Sequence, residues 1–267
     1  MSRPPSAVPA VREHGPRDAP TVVLLHGLGT SGWMWDRLVP FLDADLHVLV
    51  VDLPGHGESN AIPWVSLGDT AAAVAEVVRA RAHGGTAHVA GLSLGGYVAT
   101  ALAARRPGLV PSALVSGVSV LPFPHPRRVQ LAGRLVAPFV TTGPVLRANA
   151  RALRVPAEDL DGYVRAARTL APGTFLRVGS ELAGHGVPDG AATSDTRVLA
   201  VAGEREHALV RSSLPVLAGA FPHGRARMVP GVGHAWSGEE PELFADVLRA
   251  HAADRPLPPA LGEPLSR

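Results

Sequence analysis

The chain has 267 residues and a formal net charge of +2, and its 25 basic residues are all arginine because it contains no lysine. It also contains no cysteine, so thiol nucleophiles, disulfides, thiolate metal sites and Schiff-base lysines are excluded. Hydrophobic residues make up 46% of the chain and charged residues 18%, which favours a sizeable buried core over disorder. The small charge excess, without arginines clustered among aromatic residues, argues against a nucleic-acid-binding protein.

The N-terminal 20 residues carry proline and charge rather than an apolar run, which is not typical of a secretory signal. No stretch approaches the ~20 consecutive apolar residues of a membrane span. We therefore expect a cytoplasmic protein without stable insertion into a membrane.

Short apolar runs alternate with longer helical stretches along the chain. Strands are predicted at residues 21–25, 47–51, 87–90, 112–116, 197–202 and 225–229. Helices are predicted between and after them, at residues 33–42, 67–82, 94–106, 209–220 and 241–253. Because the strands are apolar on both faces, helices should cover both sides of the sheet. The alternation predicts an α/β protein with a doubly wound, mostly parallel sheet.

One long interval interrupts this alternation. From about residue 119 to about residue 196 no strand is predicted, and repeated proline and glycine divide any helix into short pieces. We interpret it as a helical cap inserted into a single domain that spans residues 1–267, with a core at about 20–118 and 197–253. The proline-rich tail, residues 255–267, is expected to be loosely held.

The cap is charged unevenly. It contains nine arginines against six acidic residues, and residues 127–154 include six arginines and no acid. These arginines either form a solvated face or include one or two that meet a substrate carboxylate or phenolate.

The segment with the clearest chemistry is GLSLG at residues 91–95, directly between a predicted strand and a predicted helix. Small residues two positions on either side of Ser93 permit a sharp strand-to-helix turn that exposes the serine hydroxyl at the carboxyl edge of the sheet. A second glycine-rich turn, HGLG at residues 26–29, follows the first predicted strand. We assign the backbone N–H groups of Leu28 and Leu94 as the two donors that an acyl-transfer oxyanion requires.

Together with DLPGHGES at residues 52–59, these segments resemble the α/β-hydrolase superfamily, in its group of cap-bearing serine esterases and carbon–carbon bond hydrolases. The resemblance extends from about residue 21 to residue 253. It implies a nucleophile, acid and histidine in that chain order. It also implies a strand hairpin before the HG turn, for which about 20 residues leave room only for a short or partial version.

The resemblance implies that Ser93 is the nucleophile and that His234, in PGVGH at residues 230–234, is the catalytic histidine. The acid position falls on Glu206, where aspartate is commoner in the family, and Glu204 remains an alternative. Some relatives place the acid after the preceding strand, but residues 116–119 (SGVS) contain no carboxylate, which favours Glu206. His26 is expected to support its turn.

Asp52 and His56 are expected to organise their loop through hydrogen bonds rather than to take part in the chemistry. Three tryptophans flank the motifs. Trp33 and Trp236 are candidates for an apolar substrate-binding wall, and Trp35 is weighed with them, the alternative for each being a place in the core.

The sequence thus predicts a serine hydrolase that cleaves an ester-like bond of a small, largely apolar molecule and uses no metal or organic cofactor. The alternatives are a carbon–carbon hydrolase of a ketone-bearing acid, a cofactor-free oxygenase or perhydrolase, and a non-catalytic receptor for a small ligand. The expected partner is a small-molecule substrate, and the oligomeric state is open.

Overall fold

The computed structural model of the protein describes residues 8–122, 124 and 126–265, and the side chains of residues 126–130 are not part of that description. The expectations for the first seven residues and for the last two residues of the tail therefore lie outside it. The same holds for the side chains of Arg127 and Arg128.

In the described part of the chain, seven strands form one sheet. They are β1 (Val11–His14), β2 (Thr21–Leu25), β3 (His47–Val51), β4 (His88–Leu92), β5 (Ser112–Ser116), β6 (Arg197–Gly203) and β7 (Gly224–Val229). Their order across the sheet is β1-β3-β2-β4-β5-β6-β7, with β1 antiparallel to β3 and the other neighbours parallel. The mostly parallel sheet that the apolar runs predict is therefore confirmed.

The described helices either cover the two faces of this sheet or lie above its carboxyl edge. They are α1 (Leu67–Arg81), α2 (Leu94–Arg105), α3 (Pro126–Val136), α4 (Gly143–Leu153), α5 (Leu160–Arg168), α6 (Thr174–Leu182), α7 (Ala208–Ala220), α8 (Trp236–Glu239) and α9 (Pro241–Ala252). Val23 and Leu25 of β2 pack into one large apolar cluster with α1, α2 and α7, whereas Val22 and Leu24 pack into another with α9. This alternation along one strand shows the doubly wound arrangement directly.

One local prediction differs from the structure. Residues 33–42 do not form a helix but two short 3-10 turns, Gly32–Trp35 and Val39–Phe41. Pro40 lacks the N–H that a continuous α-helix would need at this position. The short or partial hairpin that the sequence allows for is represented, in the described part of the chain, by the short strand β1, which pairs with β3 at the edge of the sheet.

The segment between β5 and β6 contains α3, α4, α5 and α6, and no strand occurs among its described residues. We call residues 119–196 the cap segment. Leu146 and Ala150 of α4 pack against Tyr163 and Ala167 of α5 in a small apolar cluster of their own. This cluster holds the two helices together above the carboxyl edge of the sheet, although the exact division into core and cap stays a prediction.

The proline-rich tail is more firmly held than expected. Gly262 donates its N–H to the carbonyl of Met228 (2.9 Å), and Leu265 donates to that of Ala226 (3.3 Å). Leu261 is only 6% exposed and belongs to the core. The tail therefore covers the open edge of β7, which would otherwise present unpaired backbone groups. Among the residues that the structure describes, no helix combines the length and apolar character needed to cross a bilayer.

Candidate active site

The turn between β4 and α2 carries Ser93 in an unusual backbone conformation. Its φ is 54° and its ψ is −116°, a region that a residue with a side chain rarely adopts. A Cβ atom on Gly91 would lie 2.1 Å from the carbonyl oxygen of Gly95, and a Cβ on Gly95 would lie 2.0 Å from that of Leu25. The two glycines are therefore required for the tight turn, and the strain that the turn stores falls on the candidate nucleophile.

The HG turn after β2 lies beside this serine. A Cβ atom on Gly27 would lie 3.6 Å from the Cβ of Ser93, and the turn is closed by Thr30, which donates from its backbone N–H (3.2 Å) and its hydroxyl (2.8 Å) to the carbonyl of Gly27. Within the described part of the chain, the N–H groups of Leu28 and Leu94 have no hydrogen-bond acceptor. The N–H of Leu94 also belongs to the first turn of α2, where no intrahelical acceptor exists. Both groups are thus available to an anion beside Ser93.

His26 and Asp52 hold the loops around this turn. The Nε2 atom of His26 accepts the N–H of Leu53 (2.9 Å), which leaves Nδ1 to donate to the carbonyl of Gly27 (2.8 Å). Burial lowers the pKa of His26 to about 4, so the ring stays neutral at physiological pH. Asp52 accepts the N–H of Gly32 (2.6 Å). These contacts are consistent with structural roles for both residues.

His234 lies in the loop after β7, and its Nδ1 atom forms a short hydrogen bond with the carboxylate of Glu206, which follows β6. Glu206 is only 8% exposed, and its second carboxylate oxygen is buried without a partner among the described residues. Glu204 instead accepts the N–H of Gly231 at 2.8 Å, in the same loop. The two carboxylates that the sequence left as alternatives therefore have different contacts: one meets the imidazole and the other the backbone.

Gly117, at the end of β5, makes room for this histidine–carboxylate pair. Its φ is +68°, and a Cβ atom there would lie 2.7 Å from the Cε1 atom of His234 and 3.3 Å from a carboxylate oxygen of Glu206. The sequence analysis considered this position only for its lack of a carboxylate. Its contribution is the absence of a side chain, a role that only the three-dimensional arrangement reveals.

The histidine loop is also attached to the cap segment. Glu239 accepts the N–H of Gly233 with one carboxylate oxygen (2.7 Å) and Nε–H of Arg154 with the other (3.2 Å). In addition, Ala235 donates its N–H to the carbonyl of Leu153 at the end of α4 (3.1 Å). The position of His234 is thereby linked to the position of the cap.

A cavity of about 270 Å³ lies between the carboxyl edge of the sheet and the cap segment, and we call it the proximal cavity. The turn residue Leu28, Ser93 and His234 all line it, so the structure brings these candidates to one site. The cap contributes a largely apolar wall with a few polar groups; it includes Leu146, Asn149, Leu153, Tyr163, Leu170 and Phe175. Such a mixture of apolar surface and few polar groups is typical of small-molecule sites.

The three tryptophans near the motifs have different positions. Trp33 lines the proximal cavity, and its indole N–H is buried without a partner among the described residues. Trp236 is fully buried in the core, donates its indole N–H to the hydroxyl of Ser116 (2.8 Å) and is absent from the cavity wall. Trp35 is also buried in the core. The expectation that Trp236 forms part of the substrate wall does not agree with this placement, because its ring packs between the sheet and α9.

The sequence analysis did not identify the polar residues that the cap presents to the cavity. Asn149 of α4 donates its side-chain N–H to the hydroxyl of Tyr163 of α5, and burial raises the pKa of that tyrosine. The apolar spacing of the two helices was a usable signal, but which polar side chain faces inward depends on how the helices pack. In the described ranges, no group of three or more histidine, aspartate or glutamate side chains is arranged to hold a metal ion.

Comparison with known proteins shows the family of the chain. The model of the Alpha/beta hydrolase family matches residues 22–247. The chain belongs to this family. The match confirms the resemblance found in the motifs, and it covers the sheet, the cap segment and all three candidate catalytic residues of this alpha/beta hydrolase.

Individual members of the family are similar over most of the chain. An AB hydrolase superfamily protein from Gibberella zeae is 31% identical over 262 residues, covering 92% of this chain and 84% of that protein. A pimeloyl-[acyl-carrier protein] methyl ester esterase from Aeromonas hydrophila is 27% identical over 248 residues, covering 86% of this chain and 94% of the esterase. The crystal structure of a carboxylesterase from Nitrososphaera gargenis has a TM-score of 0.76 at 19% identity, covering 95% of this chain and 97% of that chain. At this low identity the structural likeness shows the fold alone.

Proposed function

We propose that this alpha/beta hydrolase is a serine hydrolase that cleaves a carboxylic ester of a small, largely apolar molecule through Ser93, Glu206 and His234. The observation that carries the proposal is the combination at one cavity of a strained serine, two free N–H groups and a histidine hydrogen-bonded to a buried carboxylate. Few arrangements other than nucleophilic acyl transfer use all three of these features.

In the proposed mechanism, the hydroxyl oxygen of Ser93 attacks the ester carbonyl carbon while Nε2 of His234 takes the hydroxyl proton. The carboxylate of Glu206 keeps the other imidazole nitrogen protonated and stabilises the imidazolium that forms. The negative charge that develops on the carbonyl oxygen is received by the N–H groups of Leu28 and Leu94.

The same residues complete the reaction. The imidazolium of His234 returns its proton to the departing alcohol, which leaves an acyl group bound to Ser93. A water molecule then attacks this acyl-enzyme, His234 takes the proton from the water, and collapse of the second oxyanion releases the acid and restores the serine hydroxyl.

The proximal cavity supports an ester rather than a charged substrate near the serine. Among the described residues that line it there is no arginine and one carboxylate, Asp159, which lies 3.4 Å from the guanidinium of Arg37. The relative from Aeromonas hydrophila is named as a methyl ester esterase, which supports a carboxylic ester as the bond that is cleaved.

The test is the hydrolysis of p-nitrophenyl butyrate by the wild-type protein, Ser93→Ala and a matched control, Ser212→Ala, in the exposed part of α7. Ser93→Ala is expected to lower kcat by about 10⁴-fold or more, as in comparable triads. Ser212→Ala should retain wild-type kinetics. Full activity of folded Ser93→Ala would refute the proposal, and cleavage of a ketone-bearing acid without any ester hydrolysis would replace it by the carbon–carbon hydrolase.

A further inference from the structure

A second cavity adjoins the proximal cavity on the side of α3 and α6. It has a volume of about 350 Å³, and we call it the distal cavity. The two cavities share a wall whose members line both of them: Val140, Thr141, Leu170 and Phe175. The space beside Ser93 and the space beside α3 thus adjoin at these four, mostly apolar, residues.

The distal cavity is apolar except at one end. Apart from the shared Thr141, its walls are formed by alanine, proline, glycine, leucine, valine and phenylalanine, with Arg134 as the only charged residue in the lining that the structure describes. Arg134 is exposed and forms no ion pair or hydrogen bond with any described residue. A guanidinium at the end of an apolar cavity is suited to a carboxylate, which it can bind through two parallel hydrogen bonds.

The acidic side chain that shares a groove with Arg134 does not neutralise this end of the cavity. Glu181 lies in an outer groove that Arg134 also lines, but its carboxylate accepts the N–H of Leu67 (2.7 Å) and the indole N–H of Trp64 (3.2 Å). A second cation, Arg177, lines the same groove. Among the described side chains that line this groove, two are thus positively charged and one, already engaged, is negatively charged.

We propose that the distal cavity receives the far end of the substrate's acyl chain and that Arg134 binds a carboxylate at the end of that chain. The substrate class is then a monoester of a dicarboxylic acid, with the ester at Ser93 and the free carboxylate at Arg134. This inference rests on the proposed function and narrows it. The acyl part remains attached to Ser93 after the alcohol leaves, so a site for its far end holds the chain in both halves of the reaction.

The length of the acyl chain should decide whether a terminal carboxylate raises or lowers kcat/KM. On a short chain the carboxylate would have to lie in the proximal cavity, whose described lining contains no arginine and where burial of an unpaired charge is costly. On a long chain it would extend past the four shared residues and reach Arg134. Preference for the carboxylated substrate should therefore appear only above a threshold of chain length.

The experiment compares kcat/KM for monomethyl esters of succinate, adipate, suberate and sebacate with those for methyl butyrate, hexanoate, octanoate and decanoate. For each pair of equal chain length, the ratio is kcat/KM of the carboxylated ester divided by kcat/KM of the alkanoate ester. This ratio should be below one for succinate and butyrate. For sebacate and decanoate it should reach about tenfold in favour of the carboxylated ester, which corresponds to ~1.4 kcal/mol. A ratio below one at every length would overturn the inference.

Arg134→Gln and a matched control, Arg168→Gln on the exposed side of α5, complete the design. Arg134→Gln should reduce the long-chain ratio to about the short-chain value, whereas Arg168→Gln should keep the wild-type ratio. Because each ratio compares two substrates of one variant, a general loss of activity cancels. Survival of the preference in Arg134→Gln would overturn the inference.

The two proposals fail in different ways. Hydrolysis of the alkanoate esters without a carboxylate preference would overturn the inference and leave the proposed function standing. No hydrolysis of any ester by the folded protein would overturn both. Thermal unfolding of each variant provides the check that it is folded.

Discussion

Alanine in place of Gly117 would put a methyl group against the imidazole of His234, 2.7 Å from its Cε1 atom. Carbon atoms pack best at about 3.5–4.0 Å, so the ring would have to move by about 1 Å. A displacement of that size in a catalytic group lowers the rate by about 10²-fold. The φ of +68° adds a backbone cost of about 1–2 kcal/mol to the folded state, because a residue with a Cβ is strained there.

The control for this change is Gly84→Ala, in the turn after α1. Gly84 has a similar φ of +64°, but a Cβ atom there would meet no other atom within 4 Å. Both variants should lose similar stability in urea unfolding, while only Gly117→Ala should lose about 10²-fold in kcat for p-nitrophenyl butyrate. Wild-type kcat in Gly117→Ala, or an equal loss of kcat in Gly84→Ala, would refute the reasoning.

Three further predictions concern the acid, the cap attachment and acid stability. Glu206→Gln should lower kcat by about 10³- to 10⁴-fold because the imidazole loses its orienting carboxylate, whereas Glu204→Gln should change kcat little; similar losses in steady-state assays would contradict this assignment. Arg154→Gln removes one contact of Glu239, whose other carboxylate oxygen holds the loop of His234, and should lower kcat more than it changes KM. Arg154→Lys should restore part of kcat. An effect on KM alone would argue against a role of Arg154 in positioning His234. Burial lowers the pKa of His251 to about 4. Below pH ~6.5 this histidine is therefore protonated in the unfolded chain but stays neutral in the folded chain. The free energy of unfolding should fall between pH ~6.5 and 4 by up to ~1.4 kcal/mol per pH unit for this residue. Urea unfolding at several pH values should show a shallower dependence in His251→Gln, and an unchanged slope would contradict the linkage.

Much of the sheet could be predicted because β2, β3 and β5 are buried at every position and therefore read as uninterrupted apolar runs. The edge strand β1 could not be predicted, since its sequence, VREH, is short, three of its four residues are polar, and its pairing depends on β3. The predicted helix at residues 33–42 was wrong for a related reason. Its apolar residues do pack into the core, but they do so from two 3-10 turns on either side of Arg37.

The residues of the candidate site also fall into two groups: those that a local sequence pattern marks and those that only the packing of distant segments brings into place. Ser93 and His234 stand in short glycine-rich motifs whose local geometry is encoded by adjacent residues, so sequence reasoning could propose them as candidates. Gly117 and Tyr163 act through neighbours that are distant in the chain, and no local pattern marks them. Trp236 shows the same limit, because an aromatic residue beside a motif can face the cavity or the core, and only packing decides.

The most direct test of the account is intact-mass measurement after treatment with a fluorophosphonate probe, which reacts with an activated serine. The account predicts one covalent adduct on the wild-type protein and none on Ser93→Ala. Absence of an adduct on the wild-type protein would contradict the central claim that Ser93 is the nucleophile. Labelling of the Ser93→Ala variant to the same extent as the wild-type protein would contradict it as well.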